Sequence, residues 1–305
     1  MTDKDNNSNC VLNFGSLNID LVYSVPHFLV PGETLACSAF NRYAGGKGLN
    51  QSVALARAGV KVFHAGKIGP DGEFLRQTLV DAGVDVSFLL ESACPTGNAL
   101  IEVEDISGGN RILLYPGANR AITEDEIVSV LEKFPAGTIL LLQNEISNIP
   151  FLINEGYARG FRIMFNPAPC TPDVAEMPLE KIHTLFVNEV EAAQLTGQDQ
   201  DTDPAVLADL LTTRYPRTDF VLTLGKRGAF YAAGKDVRIF VPAEEVTPVD
   251  TTSAGDTFTG YYLAALLRGY DPEKAMAFAS KGAGIAVSRP GAARSIPTAE
   301  EVFGC

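Results

Sequence analysis

Residues 124–166 read EDEIVSVLEKFPAGTILLLQNEISNIPFLINEGYARGFRIMFN. Apolar residues recur at helical spacing over 124–134 and then crowd into the strand-sized run 138–143. The pattern repeats at once, with a helix near 149–159 and a strand over 162–166. Strands separated by helices, twice in succession, predict parallel pairing and an α/β fold in which helices flank a mostly parallel central sheet. Strands at 184–187 and 220–224, with a helix at 204–212 between them, extend that sheet. Ligands of such sheets lie beyond the carboxyl ends of the strands. Four polar motifs fall there: Gln143-Asn144-Glu145, Asn166-Pro167-Ala168-Pro169, Asn188-Glu189-Val190-Glu191 and Thr223-Leu224-Gly225-Lys226-Arg227-Gly228.

Toward the N-terminus, residues 11–15 form a short apolar strand ending in a turn, followed by Asn18 and Asp20. An extended stretch over 33–43 leads to Gly45-Gly46-Lys47-Gly48 and a helix over 50–58. A strand over 60–66 and a helix over 73–82 follow. Extended runs at 96–104 and 111–115 flank Ser107-Gly108-Gly109-Asn110 and read as a β-hairpin, suited to a lid or an oligomer contact, or to a plain sheet edge. Two helices, about 257–268 and 272–287, close the chain. Asp271-Pro272 opens the second as a cap followed by proline in the first turn.

The chain has 305 residues, 46% hydrophobic and 20% charged, which suits a globular α/β protein able to bury a large core. Its apolar runs are strand-sized, well below the roughly 20 residues of a membrane span. The start, MTDKDNNSNC, lacks the order of a signal peptide, so a disordered lead-in over 1–10, one α/β domain over 11–305 and a cytoplasmic location are expected. Five scattered cysteines (Cys10, Cys37, Cys94, Cys170, Cys305) without metal-ligand spacing read as free thiols of a reducing compartment. A formal charge of −13 disfavours nucleic acid and anionic membranes as partners. A small anion must then be held by local N–H groups and a few placed cations.

Gly45-Gly46-Lys47-Gly48-Leu49-Asn50 is neither a P-loop, which needs Ser or Thr after Gly-Lys, nor a dinucleotide fingerprint. Lys47 and Asn50 there suit sugar hydroxyls, or the segment is a tight turn with a solvated lysine. In DTTSAGDTF, residues 250–258, small residues run into an apolar helix and offer backbone N–H groups to an anion. Asp256 in that first turn reads as a helix cap, or as a base that takes a proton from a group attacking a bound phosphate. Asn188 and Glu191 read as a plain helix start or as a Mg²⁺ site working through water. The loop ending in Arg289-Pro290-Gly291-Ala292-Ala293-Arg294-Ser295-Ile296-Pro297 offers oxygens that can hold a monovalent cation.

Taken in order from about residue 11 to 297, these motifs, together with Gly15-Ser16-Leu17-Asn18-Ile19-Asp20, resemble those of the ribokinase family of carbohydrate kinases. The resemblance implies a ribokinase-like fold with a small β lid, formed from about 14–44 and 96–118. It also implies transfer of the γ-phosphoryl group of ATP to a sugar hydroxyl, with D-ribose, giving D-ribose 5-phosphate, the substrate the motifs resemble most. Asn18, Asp20, Gly46, Lys47, Asn50 and Glu145 would hold the sugar, with Asp256 as general base and Ser253, Ala254 and Gly255 as anion hole. Asn188, Thr223, Gly225, Lys226, Gly228 and Gly255 would serve ATP, and Glu191 Mg²⁺ through water. Asp250, Thr252, Ala286, Arg289, Gly291 and Ser295 match positions that bind an activating potassium ion, and pairing through the lid implies a homodimer. Two departures stand out: Ser253 where many members have glycine, expected to matter little to the anion hole, and Leu49 where alanine is typical, which leaves the sugar open. Nucleoside kinases and other sugar kinases share the fold. Phosphosugar kinases would need further cations, for which Arg42 and Arg111 are candidates. A silent sugar-binding protein would have no need of Asp256.

Overall fold

The computed structural model describes residues 10–304, and its first strand, β1 (Cys10–Phe14), is buried over its whole length. Cys10 therefore belongs to the core and not to a lead-in; residues 1–9 and Cys305 lie outside the described residues. After β1 come β2 (Asn18–Val25), β3 (Ala39–Gly45), α1 (Lys47–Arg57), β4 (Lys61–Ile68), α2 (Glu73–Asp81) and β5 (Asp85–Glu91). Next are β6 (Gly97–Glu104), β7 (Asn110–Tyr115), α3 (Glu124–Leu131), β8 (Ile139–Gln143), α4 (Ile149–Ala158) and β9 (Arg162–Asn166). The second half runs β10 (Thr184–Asn188), α5 (Glu189–Thr196), α6 (Pro204–Arg214), β11 (Asp219–Thr223), β12 (Gly228–Ala233) and β13 (Val237–Pro242). Helices α7 (Ala254–Leu267), α8 (Pro272–Val287), α9 (Ala292–Ser295) and α10 (Ala299–Phe303) complete it.

The main sheet has nine strands in the order β13-β12-β11-β10-β9-β8-β1-β4-β5, parallel from β11 to β5 and antiparallel at the β11-β12-β13 edge. Continuous apolar strands such as Leu140, Leu141 and Leu142 of β8 are what a sheet covered on both faces requires. One apolar layer collects α3 to α6 against the sheet; the other collects α1, α2, α7 and α8. A second sheet of four strands, β3-β2-β6-β7, carries much of its apolar surface in the open, including Phe40, Leu100 and Ile112 to Tyr115.

Three expectations are corrected. Helix α1 begins at Lys47 and not at Asn50, and α7 at Ala254 and not at Thr257, so Lys47 and Asp256 lie within first turns. Strands β5, β12 and β13 were not foreseen, and the segment 33–43 is regular only from Ala39. Gln143 closes β8, at the end of the strand expected over 138–143.

Helix α7 is buried from Asp256 to Ala265, as a helix apolar around its circumference must be. Each fully buried residue such as Leu263 contributes roughly 1.5–3 kcal/mol. It approaches α1 closely at Gly260, where a Cβ would lie 2.4 Å from Ala54 Cβ, and lets the Tyr261 ring lie on Gly282 of α8.

Candidate active site

The chain turns sharply after β1, and α1 sits on that turn. A Cβ at Gly48 would lie 2.3 Å from Ser16 N and 2.5 Å from the Gly15 carbonyl carbon, so only glycine fits. Leu49 N donates to the Ser16 carbonyl at 2.9 Å, and Gly46, the N-cap residue, has φ +93°. This places Lys47 and Asn50 over the strand ends. Glu145, just past β8, accepts from Lys47 N at 3.0 Å and from the Ser16 hydroxyl. Asp20 lies against Gly45, where a Cβ would meet its Oδ2 at 2.1 Å. Asn18 Oδ1 accepts from Asn119 Nδ2 at 2.8 Å, and Asn119 Oδ1 accepts from Leu17 N at 3.0 Å.

Asp256, third residue of α7 and 7% exposed, accepts from Asn50 Nδ2 at 3.0 Å through Oδ2 and from Gln51 Nε2 at 2.9 Å through Oδ1. The close Gly260–Ala54 contact explains the meeting: Asp256 and Asn50 each lie four residues, one helical turn, before that crossing point. Ser253 caps α7 in the left-handed region at φ +62°. Ala254 N donates to the Thr251 carbonyl at 3.3 Å; the N–H groups of Gly255 and Asp256 are first-turn donors with no carbonyl of their own helix to meet.

Lys47, Asn188, Glu191, Thr223 and residues 253–256 line one cavity of about 250 Å³ at the carboxyl ends of the strands. Burial works against the Lys47 charge, but Asp256, Glu145 and Glu191 more than offset it and its pKa ends above the usual range. Burial raises Glu145 and Glu191, each only partly relieved by Lys47. Asn188 and Glu191 form a reciprocal cap on α5, with Glu191 N to Asn188 Oδ1 and Asn188 N to Glu191 Oε2 both at 2.9 Å. Gly225, Lys226 and Gly228 occupy the turn between β11 and β12, outside the cavity wall. Gly228, at φ +125°, is required by packing, since a Cβ there would meet the Val241 carbonyl oxygen at 2.1 Å.

The sequence-matched cation positions gather beside the start of α7. Asp250 accepts from Thr252 N at 2.9 Å and Gly291 N at 3.0 Å. The Ala292 carbonyl accepts from both Ser253 Oγ at 3.0 Å and Ser295 Oγ at 2.9 Å. The Ala286 carbonyl takes Arg289 N at 3.1 Å, while the Arg289 guanidinium pairs with Glu301, leaving only main-chain oxygen of Arg289 for a cation. Arg42 and Arg111 lie over the rings of Phe74 and Phe28, and neither enters the cavity wall.

Sequence reasoning gave no role to Ser16, Gln51, Asn119 or Gln143. Gln51 follows Asn50 in the glycine motif, which was its only signal; the others contact site residues more than 90 positions away.

An acidic side chain beside the first-turn N–H groups of a helix suits the transfer of a phosphoryl group to a hydroxyl, the reaction of a small-molecule kinase. Residues 8–299 match the description "pfkB family carbohydrate kinase", and the chain belongs to that family. It is 35% identical to the ribokinase of Haemophilus influenzae over 95% of both chains. Its fold is similar to that of Cryptococcus neoformans ribokinase in complex with ADP (TM-score 0.85, 30% identity, 97% and 99% of the two chains). It is also similar to that of Arabidopsis thaliana ribokinase complexed with ribose and ATP (TM-score 0.87, 26% identity, 97% and 98%).

Proposed function

We propose that the protein phosphorylates D-ribose to D-ribose 5-phosphate with ATP. The observation that carries this reading is Asp256 seated between the amides of Asn50 and Gln51 at the start of α7, in one cavity with Lys47. Asn18, Asp20, Gly46, Lys47, Asn50 and Glu145 hold the sugar, and Asp256 takes the proton of its hydroxyl as that oxygen attacks the γ-phosphorus. The N–H groups at the head of α7 stabilise the charge gathering on the transferred group. Thr223 and the Gly225–Gly228 turn receive the nucleotide.

Glu191 suits Mg²⁺ held through water, being a buried carboxylate in the cavity wall; the ion would screen the ATP phosphates. The Asp250 carboxylate and the carbonyls around Ala292 are hard oxygens fit for potassium, which would brace the loop behind the anion hole. The exposed apolar face of the four-stranded sheet supports its service as a lid and as the contact of a homodimer. No helix among the described residues is long and apolar enough to cross a membrane. Cys37, Cys94 and Cys170 are free thiols, which suits a reducing compartment such as the cytoplasm.

The test is ATP turnover on D-ribose, 2-deoxyribose, hexoses and nucleosides, with Asp256→Asn beside the native protein. Removal of the base lowers kcat by about 10² to 10⁴. A variant as active as the native protein overturns the role of Asp256, and preference for another acceptor overturns ribose.

A further inference from the structure

Behind Asp256 runs a buried chain of side-chain amides whose direction is fixed at both ends by main-chain carbonyls. At one end Asn13 Nδ2 donates to the Gly48 carbonyl at 2.7 Å, an oxygen that can only accept. Asn13 must then turn Oδ1 the other way, where Gln143 Nε2 meets it at 3.0 Å. The same Nε2 donates to Gln51 Oε1 at 2.7 Å, so Gln51 presents its own Nε2 to Asp256 Oδ1. At the other end Asn166 Nδ2 donates to the Phe186 carbonyl at 3.0 Å, which turns Asn166 Oδ1 toward Gln51 Nε2 at 3.3 Å. Both ends demand the same orientation of Gln51. Asn13, Gln51 and Gln143 are each fully buried, so water offers no alternative partner and a flipped amide would set oxygen against carboxylate.

A side branch leaves Asn13. Ser52 Oγ accepts from Asn13 Nδ2 at 2.8 Å and is hydrogen-bonded to His64 Nδ1, also at 2.8 Å. His64 is neutral, burial pushing it down to about 3, and adds no charge to the network. Gly15 leaves the room the chain needs: a Cβ there would lie 2.4 Å from Gln143 Oε1.

We infer that Gln51 is a positioning residue for Asp256, held in its donating orientation by Gln143 and Asn13 from one side and by Asn166 from the other. The inference rests on the reading of Asp256 as general base. Gln51 fixes the carboxylate rotamer and directs the Oδ1 lone pairs, while Asn50 does the same at Oδ2. The charged groups facing Asp256 are Lys47 from α1 and Glu145 from the segment after β8, and neither touches the amide chain.

The test compares Gln51→Met and Gln143→Met, near-isosteric changes that remove an amide, in the full-length protein with D-ribose and Mg²⁺–ATP. Two readouts are taken: the acid limb of kcat/KM against pH, and the titration of the Asp256 carboxyl by ¹³C NMR, assigned with Asp256→Asn. Loss of the Gln51 donor removes a hydrogen bond that favours the ionised carboxyl, so both readouts move to higher pH by about one unit and kcat/KM falls about tenfold along the acid limb. Gln143→Met, which leaves every contact atom of Asp256 in place, moves them in the same direction by less. Folded variants with unmoved limb and titration overturn the positioning role, even if kcat falls. If Asp256→Asn keeps full turnover, the base reading fails; a titration shift in the Met variants would still report the amide chain.

Discussion

The carboxyl of Asp20 is pushed up to about 7 by its burial and by the neighbouring Glu145 carboxylate. Asp20 therefore changes charge near neutrality. Between its unfolded value of 3.8 and about 7, the folded protein keeps a proton that the unfolded chain has released, so stability falls as pH rises through that window. Asp20→Asn removes the decline: thermal unfolding at pH 8 is stabilised, on the order of 2 kcal/mol, with little change at pH 4. Ionised Asp20 is the stronger acceptor for a sugar hydroxyl, so KM for ribose drops as pH passes 7 in the native protein and loses that dependence in the variant. A native KM flat from pH 6 to 8 counts against it.

Two glycines separate stability from activity. Gly48→Ala forces a Cβ into the Ser16 and Gly15 backbone, with nothing flexible to give way, and costs about 3 kcal/mol or more along with sugar binding. Gly255→Ala meets nothing within 4 Å and exchanges glycine for a better helix former, so its melting temperature holds or rises. The added methyl nevertheless lies at the head of α7, where the proposed function seats the transferred phosphoryl group, and kcat falls at least tenfold. Equal damage from both substitutions would show that residue 255 matters for folding and not for phosphate.

Ser253 holds a left-handed backbone, which costs a non-glycine residue of order 1 kcal/mol, and recovers a similar amount through its hydrogen bond to the Ala292 carbonyl. Ser253→Gly gives up both and leaves unfolding free energy within about 1 kcal/mol of native. Ser253→Ala keeps the strained backbone, loses the bond and is the less stable of the two, by about 1 kcal/mol. An alanine variant more stable than the glycine variant refutes this account.

The four-stranded sheet exposes Leu113 at 71% and Ile112 at 61%, on the edge strand β7. Exposed apolar edges of this kind are normally covered or charged. Leu113→Asp should convert a dimer into a monomer by sedimentation equilibrium at micromolar concentration, with melting of the main α/β body unchanged. A native protein that sediments as a monomer disposes of the idea.

The main sheet was legible because its parallel strands are continuous apolar blocks of about five residues set between periodic helices, as at residues 139–143 and 162–166. Strand β5, with only Leu89 buried, and the small-residue β12 lack that contrast and escaped notice. Helix starts were read late because Lys47, Gly48 and Gly255 weaken the apolar pattern in first turns. Asp256, Lys47 and Asn188 could be picked from local chemistry. Gln143 and Asn13 could not: their significance lies in which amide faces which carbonyl across 130 positions, and short-range spacing carries no trace of it.

The bonds that hold Asp256 span 205 and 206 positions, joining the first turn of α1 to the first turn of α7. A ribosome delivers these partners at widely separated times. A polypeptide halted between residues 187 and 255 carries Lys47, Asn50, Glu145 and the amide chain, yet lacks Asp256. With Asp256 as the general base proposed above, turnover is among the last properties that synthesis confers.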